Sequence, residues 1–283
     1  MNGRVIEERV FKVLMIASAS AILGTLLVIL LTVVVKGLPA LDLAMVTQTP
    51  RGGFYLGKEG GVLNAIVGSL YLAGGATLLA LVVSIPIVVY LNVYAKKGSR
   101  LVAFSRFSFD VLWGVPSIVY GAFGFTIMLL LGLRASLLGG IIAVGLLVLP
   151  IMSRAMDEVV RMVPKDLLDA SYALGTTRLE AAMGVLMRQA LPGILTAVLI
   201  AFGRGIGDAA SVIFTAGFTD YIPTSLFRPA ATLPLAIFFQ LGTPVPEVQE
   251  RAYASALILT VIVLAISTVA RVLTRRFARH VVR

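Results

Sequence analysis

Two pairs of oppositely charged residues, each spaced by four, are the side chains in this sequence best placed to handle an ion. Arg204 and Asp208 lie in an apolar run, within Gly203-Arg204-Gly205-Ile206-Gly207-Asp208. A spacing of four puts both on one helical face, where they can pair. Arg204 stands 12 residues after Pro192 and 13 before Gly217, near the middle of that run. A charge at the centre of a membrane span costs about 2.5–3.5 kcal/mol on insertion scales, so charges kept there tend to mark ion or substrate paths. The guanidinium offers a rigid fork of donors suited to an oxyanion such as phosphate. Asp208 can hold Arg204 in place, or accept a hydrogen bond from a protonated oxyanion. The other reading is a buried pair that only fixes helix packing. Gly203, Gly205, Gly207, Ala209 and Ala210 allow a second backbone to approach closely. The second pair, Arg154 and Glu158, follows Pro150 at the end of another apolar run, and reads either as part of the same path or as topology charges.

Other chemistry lacks its residues. No G-x-x-x-x-G-K-[ST] phosphate-cradling loop occurs, and no H-E-x-x-H. The chain has no cysteine, so disulfides and thiolate metal sites are excluded. The single histidine, His280, sits among tail arginines and cannot complete a nucleophile–base set. Intrinsic catalysis and a bound cofactor or metal are therefore not expected. The Gly203-x-Gly205-x-Gly207 pattern follows no strand and is no dinucleotide fingerprint.

The elements that must hold these charges are membrane helices. Of 283 residues, 59% are hydrophobic and 13% charged, more apolar surface than a soluble domain can hide. Six stretches reach the length needed to cross about 30 Å of hydrocarbon: 13–35, 65–92, 108–132, 137–157, 191–217 and 253–272. Backbone satisfaction in lipid makes them helices, so the fold class is all-α with six spans. The stretch 13–35 is too long for a signal-peptide core and reads as a retained anchor. The net charge of +10 is spread around the spans and forms no single face for nucleic acid. With both termini inside, 17 of the 24 basic residues fall on the cytoplasmic side.

Three connections stand out. Residues 36–64 carry Pro39, Pro50 and a glycine-rich run, and read as an external loop. In 218–252, five prolines surround the apolar run Leu233 to Leu241, too short to span and so an interfacial or re-entrant helix. The cytoplasmic stretch 158–190 predicts a helix from Pro164 and Asp166, ended by Gly175. Thr177 predicts the cap of a second helix running into Leu191-Pro192-Gly193. A short helix, a glycine break and a second helix make a shape that can dock into a partner's groove.

That stretch resembles the EAA loop of ABC importer permeases, the coupling helix that docks on the ATPase subunit. Asp169-Ala170-Ser171 stands where the loop has Glu-Ala-Ala, and Gly175 where its glycine falls. Gly114-Val115-Pro116-Ser117-Ile118-Val119-Tyr120-Gly121-Ala122-Phe123-Gly124 is similar to the G-V-P-S-I-V-x-G-x-F-G stretch of phosphate permeases. Thr47-Gln48-Thr49-Pro50 and Asn64-Ala65-Ile66-Val67-Gly68-Ser69-Leu70 resemble their A-type rather than C-type branch. Arg204-x-x-Gly207-Asp208 with Phe214-Thr215-Ala216-Gly217 resembles that family's R-x-x-G-E…F-T-A-G, with Asp for Glu.

The resemblance implies a MetI-like permease domain over 1–283, its first span (13–35) outside a five-helix core (65–272) that carries the coupling loop 158–190. It implies that the residues matching Arg154 and Arg204 serve phosphate passage. It implies pairing with a C-type permease, two ATPase subunits inside that hold ATP and magnesium, an external phosphate-binding protein, and a lipid surround in the cytoplasmic membrane. Alternatives are a permease for molybdate, sulfate or phosphonate, and an ion-coupled secondary transporter. The latter would be expected to show inverted repeats, which the sequence lacks.

Overall fold

The computed structural model describes residues 3–51, 59–96 and 98–277. His280, Lys97 and most of the glycine-rich run after Arg51 lie outside the described residues. The chain opens with a 35-residue helix, α1 (Gly3–Gly37), then a 3-10 turn (Leu38–Ala40) and α2 (Leu43–Thr47), capped by the Asp42 carboxylate. Strands β1 (Pro50–Arg51) and β2 (Glu59–Gly60) pair antiparallel in the segment after α2. Then follow α3 (Leu63–Val89), running into a π-helical turn (Tyr90–Tyr94), α4 (Arg100–Trp113), α5 (Ser117–Leu130) and α6 (Leu137–Arg161). The remainder comprises α7 (Lys165–Ala173), α8 (Arg178–Ala181), a second π-helical turn (Ala182–Leu186), α9 (Met187–Ile206), α10 (Leu233–Leu241) and α11 (Pro246–Phe277).

α6 is the central post. α3 and α9 pack along it around a core that includes Leu72, Val144, Val148, Met152, Met156 and Ala197. Small residues on α6 such as Gly140 and Gly145 let leucines of α3 close onto its backbone. A second cluster, with Met45, Val62, Leu233 and Ile258, joins the α2 region to α10 and α11. α1 packs chiefly on α11, and its apolar side chains point outward, as a lipid-facing helix requires. α10 forms over the apolar run among the prolines of 218–252, as its length predicts.

Two expected spans take another shape. The stretch 108–132 is not one helix: α4 and α5 meet at 101° across Gly114-Val115-Pro116. Pro116 has no N–H and forces Val115 away from helical angles, so α4 ends there. Among the described residues, five helices are long and apolar enough to cross a membrane, or six if this bent pair counts as one span. The stretch 191–217 is likewise not helical throughout. Its helix begins upstream of Leu191, contains Pro192, and stops at Ile206. Residues 207–216 follow as a chain of turns. Gly203, Gly205 and Gly207 each cost a helix about 1 kcal/mol relative to alanine. Asp208 then draws its side chain onto the Ser211 backbone instead of continuing the ladder.

Candidate functional site

Arg204 thus sits at the end of α9, two residues before its last, rather than in the middle of an unbroken span. Its Nη1 donates to Asp208 Oδ1 at 2.9 Å. The other carboxylate oxygen, Oδ2, accepts from the Ser211 backbone N–H at 2.8 Å and from the Ser211 hydroxyl. Both oxygens of Asp208 are therefore engaged and the side chain is buried, 3% exposed, while that of Arg204 is 42% exposed. The pairing is monodentate. Among the described residues nothing engages Arg204 Nε or Nη2, so two donors of the fork remain for an anion. α5 backs the site. A side chain at Gly121 would come within 2.8 Å of the Ser211 carbonyl oxygen, so only glycine lets α5 press against the broken segment.

A second constellation lies where α3 and α6 end beside α4. Arg154 and Glu158 do meet, Nη2 to Oε1 at 3.3 Å, but Glu158 is an exposed outlier. The hub is Asp157, which is fully buried. Arg106 clamps it with two bonds, Nε to Oδ2 at 2.7 Å and Nη2 to Oδ1 at 3.0 Å. Asn92 Nδ2, on the π-helical turn after α3, adds a third at 2.8 Å. Arg154 approaches Asp157 Oδ2 at 3.9 Å and pairs through Nε with Asp110 at 3.0 Å. Three carboxylates surround Arg154, leaving it little capacity for an anion in this conformation. The geometry is that of a clasp tying α4 and the end of α3 to α6. Arg106, Asp157, Asn92 and Asp110 were not among the site residues expected from sequence. Asp157 did carry a signal, since it falls on the stripe of α6 with Ser153, Met156 and Val160, otherwise buried and uncharged.

The stretch after α6 forms the expected helix, break and helix. Thr176 N–H bonds Ser171 O at 3.4 Å and Gly175 N–H bonds Tyr172 O at 2.9 Å, a Schellman closure with Gly175 at φ +83°. The Ser171 and Thr176 hydroxyls meet at 2.7 Å, and Thr177 with Glu180 completes a capping box. Ser171 faces inward, whereas Asp169, Ala170 and Gly175 are exposed beside the uncovered Leu174, Leu179 and Met162. The tip is therefore apolar, uncovered and fixed in its backbone, features that suit a surface for interaction. A β-carbon at Gly175 meets nothing within 4 Å, so Gly175→Val acts only through the backbone, by about 1–2 kcal/mol. If the segment docks on an ATPase subunit, as the resemblance implies, a complex carrying this variant is expected to assemble normally but to hydrolyse ATP without transport, measured as ATPase rate against uptake. Unchanged coupling would contradict a docking role.

At the opposite end, Asn64 donates to Thr219 O at 2.7 Å and Arg251 to Gly60 O, pinning the adjoining loops to α3 and α11. Burial pushes the nearby Asp220 carboxyl above its usual range.

Comparison with known proteins agrees with this architecture. Residues 84–283 match the family model for the binding-protein-dependent transport system inner membrane component. The phosphate transport system permease protein PstA of Yersinia pestis is 35% identical over 268 residues, covering 94% of this chain and 90% of that one. PstA of Haemophilus influenzae is 33% identical, with 89% and 86% covered. Among solved structures, an inward-facing MetNI methionine ABC transporter superposes with a TM-score of 0.61 at 18% identity, over 76% of this chain and 95% of that one. A bacterial ABC transporter that imports alginate gives 0.58 at 15% identity, over 94% and 99%. The fold is the MetI-like permease fold, in a multi-pass inner membrane protein. The chain belongs to the binding-protein-dependent transport system inner membrane components, and within them to the PstA-type phosphate permeases.

Proposed function

We propose that this chain is the A-type permease subunit of an ATP-driven importer of inorganic phosphate. The observation that carries the reading is Arg204, anchored through one nitrogen by a buried carboxylate while the rest of its fork stays open. Phosphate meets that fork as the helix ends, where irregular backbone at membrane depth is tolerated only beside a protein-lined path. Asp208 positions the guanidinium. Arg154 and Glu158 act in the clasp around Asp157, which exchanges partners as the helices move and so frees Arg154 for the anion. Asp169, Ala170, Ser171 and Gly175 form the face that takes up motion from the ATPase subunits. ATP and magnesium belong to those subunits, and this chain has no catalysis of its own. A related C-type permease completes the pathway, and an external phosphate-binding protein delivers the substrate.

Orientation and substrate are both testable. Tags after Lys97 and at the C-terminus are expected to react only from the cytoplasm, and tags near Gly60 and Pro246 only from outside. One reversed result would redraw the spans. Proteoliposomes holding the assembled importer are expected to take up radiolabelled phosphate only with ATP on the ATPase side. Excess molybdate, sulfate or phosphonate is expected to leave that uptake unchanged. Competition by one of these at equal concentration would assign the chain to a different oxyanion.

A further inference from the structure

Beside the clasp, at the end of the bundle where α3 and α6 stop and α7 begins, lies a cleft of about 350 Å³. Lys96, Arg106, Arg161 and Lys165 line it, and no acidic residue does. Arg106 is committed to Asp157, but Lys96, Arg161 and Lys165 form no ion pair among the described residues. The walls between these charges are mostly apolar, from Leu91, Val102, Val160, Val163, Leu168 and Leu186, with Asn92 the one neutral polar side chain. Three uncompensated cations over an apolar floor repel one another until an anion joins them. Basic pockets between membrane helices at the headgroup level take phosphorylated groups.

We infer that this cleft is a second anion site, separate from Arg204, which binds a phosphate group beside the coupling segment. The group is either free inorganic phosphate or the headgroup of an anionic phospholipid. In both cases the ligand bridges Lys96, Arg161 and Lys165 and so links the end of α3 to the α6–α7 corner. The site does not depend on which anion crosses the membrane.

The test uses the assembled importer in lipid nanodiscs, as wild type and as Lys96→Gln/Arg161→Gln, two surface changes outside the Arg204 site and away from Asp169, Ala170, Ser171 and Gly175. In neutral phosphatidylcholine, binding of labelled phosphate is counted per complex. In discs containing phosphatidylglycerol, retained anionic lipid is counted by native mass spectrometry. The variant is expected to bind one ligand fewer, or about thirtyfold more weakly. Loss in the first arm names free phosphate as the source, and loss in the second names lipid. Wild-type counts in both arms would overturn the site. So would a variant that keeps both ligands but sheds its ATPase subunits, because the cleft would then be a protein interface.

Discussion

Asp157→Ala is expected to destabilise the permease by about 3–5 kcal/mol, the usual cost of removing one partner from a buried ion pair. The substitution strands Arg106, whose Nε and Nη2 both bond that carboxylate, and leaves the Asn92 amide one acceptor short. Arg154 would lose one of its three acidic neighbours, so its local charge becomes less compensated. Replacing both partners separates architecture from mechanism. Asp157→Leu with Arg106→Met is expected to recover most of the stability, because apolar replacement of a buried pair is often neutral. If the clasp is exchanged during the cycle, that stable double variant will still transport slowly. Thermal unfolding in detergent and phosphate uptake, measured on the same preparations, check both halves. A single variant as stable as wild type would show that α4 is held by its apolar contacts alone.

The parts of this architecture written in neighbouring residues were legible before the structure. The Pro164 start, the Gly175 stop and the Thr177 cap are local signals, and each appears where the residues put it. Apolar length sufficed for α3, α6 and α11, because lipid leaves a long apolar run no other form. The same length argument misled at 108–132, where the run continues but Pro116 breaks the helix. There the proline carried more information than hydropathy. At 191–217 the alternate glycines and Asp208 already announced a helix end, and the apolar count overrode them.

The clasp was illegible for a different reason. Arg106 lies 51 residues from Asp157 and Asn92 lies 65 away, so no local spacing links them. What sequence offered was the i,i+4 pair Arg154–Glu158, which is real but peripheral. For Arg204 and Asp208 the spacing did identify the pair. It did not reveal that Asp208 also caps the following turn, so that one carboxylate oxygen is left for Arg204 and the pairing is monodentate.

The central claim is that Arg204 contacts the transported anion, and it predicts a large loss on substitution. Two charge-assisted hydrogen bonds, at about 1.5–3 kcal/mol each, correspond to at least about a hundredfold in transport. Arg204→Lys is expected to rescue only part of that, since an ammonium keeps the charge and lacks the fork. The decisive variant is Arg204→Leu with Asp208→Asn, which removes both charges and leaves the side-chain amide oxygen to accept from the Ser211 N–H. Complex yield and ATP-driven phosphate uptake are measured together for wild type, Arg204→Lys and this double variant. The account predicts near-normal assembly of the double variant with phosphate uptake reduced to background. An assembled double variant that carries phosphate at the wild-type rate would contradict it, and would leave Arg204 as packing.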